Sequence, residues 1–223
     1  MNFMKANLQI YLKHTTALAT AIAVLAVFGF AVAEPATTVA QSDSNTFDAN
    51  LTVDEEIALT VSGTPVSMDN LGLTSGDKSD GKATLNVETN SKDGYTLAVK
   101  AQDDPALQHD STNDTFEDYT PATADTAESW SADSSSYQFG YGAYGGDAVS
   151  DFTSSGNCTD SDPTSGNERY EEFNSSDENI AQNSTTTSTS GVDTTLCVAA
   201  EQKGVNAPSG NYTATIVATA TVK

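Results

Sequence analysis

Basic side chains are scarce in this sequence: Lys and Arg number 9 against 31 Asp and Glu in 223 residues, a formal net charge of −22. A surface so short of cations repels phosphate backbones and anionic lipid, which excludes nucleic acid as a partner. Histidine is nearly missing too, and beyond residue 33 only His109 remains. It lies between Gln108 and Asp110 in a polar stretch that offers neither a nucleophile nor an orienting carboxylate, so triad-type catalysis has no foothold there. The 2 cysteines, Cys158 and Cys197, stand far from any His or further Cys, which excludes a zinc site. After residue 33 no segment keeps a 3.6-residue apolar period over three turns, so a helical domain is excluded as well.

What is present begins with a leader. Residues 1–33 hold a positively charged start (Lys5, Lys13), an uncharged run from Thr15 to Ala33 and a small-residue end, Ala31-Val32-Ala33. That order predicts a secretory signal peptide cut after Ala33. The run is also close to the roughly 20 residues that span a bilayer, so an uncleaved anchor through residues 15–33 is the rival expectation, and the one route to a membrane. Removal of residues 1–33 takes away Lys5 and Lys13 and leaves 7 basic against 31 acidic residues, a net charge of −24. In an oxidising compartment, Cys158 and Cys197 are expected to form a disulfide. Closing a loop of that length contributes on the order of 4 kcal/mol in the chain-entropy account.

Residues 34–50 are small, polar and aperiodic, and read as a linker or arm, with order expected from Leu51. From Ile57, the residues Ile57, Leu59 and Val61 alternate with Ala58, Thr60 and Ser62, the period of a strand with one buried face, and Gly63-Thr64-Pro65 ends it. Residues 83–89 and 95–101 show the same alternation on either side of Asn90-Ser91-Lys92-Asp93-Gly94, which predicts a β-hairpin. Between 102 and 193 the composition shifts to Asp, Ser, Thr, Asn and Gly, the expectation for a loop-rich insertion. Tyr137, Phe139 and Tyr141 interrupt it as one face of a strand, and glycines at 140, 142, 145 and 146 mark a flexible stretch. Around Thr194–Val198, Cys197 points away from Leu196 and Val198, so its bridge is expected to staple the insertion across the outside of a sheet. Residues 211–223 alternate apolar residues with Thr, which predicts one long closing strand. The whole reads as an all-β chain: a single antiparallel β-sandwich over 51–223, immunoglobulin-like or jelly-roll-like, with long polar loops.

The segments 53–76, 93–101 and 207–222 resemble a loose group of secreted bacterial β-sandwich proteins. That group includes WxL-type wall-associated domains, spore-coat-U-like pilus subunits and surface proteins of small-genome bacteria. The chain departs from the WxL pattern, since Trp130 is followed by Ser131 and Ala132. The resemblance implies a surface or appendage role and carries over no functional residues.

Two binding chemistries are written into the composition. Asp77-Lys78-Ser79-Asp80-Gly81 and Asp103-Asp104 are oxygen-rich turns and make Asp77, Asp80, Asp103 and Asp104 candidate calcium ligands, although Lys78 takes a position where an EF-hand needs a ligand. Trp130, Tyr137, Phe139, Tyr141 and Tyr144 are candidates for a glycan-stacking platform, and the same stripe suits the core of a sandwich strand. The expectation for function is a non-enzymatic, secreted or cell-surface structural or adhesive protein, with self-association or cell-surface partners and no cofactor beyond a candidate Ca2+. A carbohydrate- or calcium-binding module is the second expectation, and an exported hydrolase, needing only two placed carboxylates, is the third.

Overall fold

The computed structural model describes residues 48–73, 76–124, 126–152, 156, 158, 163–164 and 168–223. The leader, its membrane run and all but the end of the arm lie outside them. Leu51–Lys223 forms one compact unit.

The described residues contain strands and no helix: β1 (Ile57–Ser62), β2 (Asp77–Thr89), β3 (Tyr95–Ala101), β4 (Gln108–His109), β5 (Glu117–Asp118), β6 (Ser136–Gly145), β7 (Tyr170–Glu171), β8 (Glu178–Asn183), β9 (Val192–Lys203), β10 (Tyr212–Thr213) and β11 (Ile216–Val222). One sheet runs β1-β2-β9-β6-β5, with β7 also on β6; a second runs β11-β3-β8; β10 and β4 make a small third. Pairing is antiparallel except for the two-residue β5–β6 contact, which is parallel and makes the large sheet mixed.

The two larger sheets face each other across the main core. Leu85 and Val87 from β2, Phe139, Tyr141 and Ala143 from β6, and Leu196, Val198 and Ala200 from β9 meet Tyr95, Leu97 and Val99 from β3 and Ile180 from β8. The expected period of two is obeyed in β3, where Tyr95, Leu97, Val99 and Ala101 are buried and the residues between them half-buried. Each such buried Leu, Ile or Val contributes about 1.5–3 kcal/mol relative to exposure.

Three sequence expectations need correction. Residues 83–89 and 95–101 do not form a hairpin: β2 is flanked by β1 and β9, and β3 by β11 and β8. The joint through Gly94 (φ 80°) steps from one sheet to the other. Alternation fixes only which face is buried, and two strands facing across a core satisfy it as well as two strands paired edge to edge. The closing strand is broken. β10 pairs with β4 and β11 with β3, and between them Thr215 turns its carbonyl to the Gln102 amide at 2.9 Å. Nor is the 102–193 insertion merely surface loop, because it supplies β4 to β8 and buries Phe116, Phe152 and Phe173 in the main core.

Candidate functional site

On its second face the large sheet carries another buried layer. Cys197 and Ala199 project there from β9 and pack with Tyr119, Trp130, Ala132, Cys158 and Tyr170, all from the insertion. The opposition of Cys197 to Leu196 and Val198 follows from strand geometry as expected, and Cys158 and Cys197 are joined, with Cα atoms 6.0 Å apart. The bridge ties the insertion across this outer face of the sheet, as expected, and Cys197 is fully buried beneath the layer it anchors.

The layer sits low because β6 is flat where it lands. A Cβ on Gly140 would come within 2.6 Å of the Tyr119 Cβ and 2.8 Å of the Glu171 carbonyl oxygen, and one on Gly142 would run into the Arg169 carbonyl. These glycines therefore lie in a regular strand as a seat for other chain, and the expected flexibility around 140 and 142 is corrected. Trp130 occupies the centre of the seat, stacked on Tyr119 at 4.6 Å and edge-on to Tyr170 at 5.2 Å. Its indole N–H donates to Glu201 Oε2 at 2.7 Å.

The five candidate stacking rings are thus divided. Phe139 and Tyr141 are in the main core, stacked or tilted against Phe173, while Trp130 is in the second layer. Tyr137 and Tyr144 are half-buried on opposite sides of the sheet. Rings on both faces of one sheet, three of them covered, do not form a common platform for a sugar.

The four candidate calcium ligands are also dispersed. Asp77 and Asp80 lie three residues apart in β2, hence on opposite faces. Asp77 Oδ2 accepts from the Gly72 amide and Asp80 is buried. Asp103 and Asp104 follow β3, with Asp104 beside Asp118. Burial pushes the Asp118 carboxyl up to about 6; the Ala106 amide, donating to Oδ1 at 3.0 Å, works against this, and Asp104 and Glu172 add to it. Among the described residues no three His, Cys, Asp or Glu are grouped to hold a metal ion.

His109 organises a loop. Its Nδ1 accepts from the Ser111 and Thr112 amides at 3.0 and 3.1 Å, so the neutral ring carries its proton on Nε2, which faces the Ser209 carbonyl at 3.4 Å. Its ring meets Tyr212 edge-on at 4.9 Å, tying β4 to β10.

One feature escaped the sequence reading. Leu51 and Val53 are 88% and 73% exposed, on the odd positions that Ile57, Leu59 and Val61 also take, with Glu55 the one break between them. The apolar pattern begins at Leu51, six residues before the strand, and residues 51–56 have no partner strand among the described residues. Asn90 fixes where this segment leaves the sheet: its side chain accepts from the Glu56 amide and donates to the Asp54 carbonyl, both at 2.7 Å. A shallow groove of about 390 Å³ opens beside it, between Glu56, Glu88 and the Thr186–Thr189 turn. No helix among the described residues is long and apolar enough to cross a membrane.

Compared with known proteins, the chain matches no family model, no curated protein and no solved structure.

Proposed function

We propose that this chain is a non-enzymatic structural or adhesive protein of the cell exterior, secreted or held at the surface, and a subunit of an assembly there. The fold it offers is a two-sheet sandwich, immunoglobulin-like or jelly-roll-like in class, with its loop insertion folded down as a third layer.

The observation that carries the reading is the buried Cys158–Cys197 bridge. It ties the insertion to the central strand β9, and the second layer packs around it. A structural bridge of this kind belongs to oxidising compartments. The leader over 1–33 and the strongly acidic, Lys-poor composition agree with export.

Fractionation of the native cell tests it, with sequencing of the N-terminal residue and titration of free thiols. The expected result is protein in the medium or surface fraction, with Cys158 and Cys197 oxidised. A start at Glu34 indicates a released or assembled subunit, and an intact Met1 in the membrane fraction a tethered one. Cytoplasmic protein with two free thiols overturns the reading.

A further inference from the structure

We infer that two copies of this chain pair through β1, each extending its own β1 back to Leu51 and laying it along the other's open edge. The inference deepens the surface-assembly reading by naming the partner as a second copy.

The edge is open by its hydrogen bonding. Glu56 turns its amide and carbonyl toward β2, bonding to Asn90 and Thr89. Backbone groups alternate sides along a strand, so those of Ile57, Leu59 and Val61 point away from β2. No strand among the described residues meets them there.

The inner face at this edge is poorly covered. Ile57 and Leu59 are only half-buried and Val61 is 42% exposed. Across from them, β11 approaches β1 with Ile216, Ala218 and Ala220 likewise half-buried. The flank resembles a core cut short by one strand.

The same segment supplies the missing cover. Leu51, Val53 and Glu55 share the odd positions of Ile57, Leu59 and Val61, so an extended 51–61 strand carries Leu51 and Val53 on the inner face, with Glu55 beside the two-fold axis. Antiparallel pairing of 51–61 with its own copy about a two-fold axis sets Leu51 of one chain against Val61 of the other and Val53 against Leu59. The hydrogen bonds use the outward-pointing groups. A two-fold arrangement covers both copies at once and closes, so it gives a dimer. It also buries three of the large apolar side chains that stand exposed in the single chain, Leu51, Val53 and Val61.

Sedimentation velocity of the full chain, from about 1 µM to 1 mM, tests the pairing, with half-association expected on the order of 10–100 µM for so small an interface. Leu51→Asp with Val53→Asp changes exposed positions only, so the fold is kept while association weakens about tenfold or more. Val53→Cys with Leu59→Cys provides the second readout. Within one chain these positions are about 20 Å apart in an extended strand, too far for a disulfide, whereas between paired copies they adjoin. Mild oxidation is expected to give a covalent dimer on a non-reducing gel. The inference is overturned by a chain that stays monomeric throughout, or by an oligomer that ignores the Leu51/Val53 change and does not cross-link. Neither outcome touches the surface reading, which falls only on location and thiol state.

Discussion

Trp130 and Glu201 are bound to each other beneath the insertion, indole Nε1 to carboxylate Oε2 at 2.7 Å, both almost wholly buried. The two come from parts of the chain 71 residues apart, so this one hydrogen bond fixes the loop layer to the sheet at its centre. A hydrogen bond to a charged group contributes about 1.5–3 kcal/mol, and losing one partner leaves the other buried without it. Glu201→Ala should therefore lower stability by about 2 kcal/mol in chemical denaturation and shift Trp130 emission to the red. Glu201→Gln keeps an acceptor oxygen for the indole N–H and is expected to recover most of that loss. In a double-mutant cycle with Trp130→Phe, a coupling near zero would show that the bond does not hold the layer.

Legibility in the sequence followed the kind of signal each residue gives. Tyr95–Val99 was readable because alternation reports which side chains are buried, and β3 obeys it. In Ile57–Val61 the alternation marks the strand, but Ile57 and Leu59 are only half-buried and Val61 is exposed. Partner choice was not readable, for alternation carries no information about the neighbouring strand, and so 83–89 and 95–101 passed for a hairpin. β8, with the sequence ENIAQN, buries Ile180 and Ala181 as consecutive residues and gives no period at all. The second layer was hidden for a related reason. β9 is buried on both faces over Leu196–Gln202, and polar composition in the insertion masked the few aromatics, Tyr119, Trp130 and Tyr170, that cover its second face. The Cys158–Cys197 pairing needed only a count of cysteines, while its burial needed the fold.

The flat seat on β6 makes a sharp prediction about small changes. Gly142→Ala adds one methyl group where the Arg169 carbonyl already lies, and Gly140→Ala adds one against the Tyr119 Cβ and the Glu171 carbonyl. Backbone cannot swing aside as a long side chain can, so each substitution should cost about 1–3 kcal/mol. Gly146→Ala meets nothing within 4 Å and is the control, expected within about 0.5 kcal/mol of the parent. Equal melting temperatures for all three would mean that the layer does not rest on β6.

Asp118 couples stability to pH. Its carboxyl is held at about 6 against an ordinary 3.8, chiefly by burial, so the folded chain binds this proton more tightly than the unfolded one. The stabilisation is fully present below about pH 4 and is lost as pH rises through about 6. Asp118→Asn keeps an oxygen for the Ala106 amide and removes the charge. With allowance for a partly solvated site, it should stabilise the protein by about 1 kcal/mol at about pH 7.5 and do nothing at about pH 4. Thermal melts of both proteins across that range check it, and parallel curves would exclude Asp118 as the source.

Burial of the bridge separates its thermodynamic role from its chemical access. Cys197 is fully buried and Cys158 nearly so, so a thiolate reductant reaches the sulfurs only after the layer around Trp130 opens. Under native conditions, reduction should be slow and should quicken sharply in sub-denaturing urea, in step with the red shift of Trp130. Once reduced, the chain loses the constraint on the 39-residue span between the two cysteines. The Cys158→Ala/Cys197→Ala variant is expected to be less stable by about 4 kcal/mol. The main core between the facing sheets uses neither sulfur, so the first loss should be confined to the second layer: amide exchange rises in 119–132 and 168–171 while β3 and β8 stay protected. Rapid reduction of the native protein, or uniform loss of protection across both layers, would refute an anchoring role for the bridge.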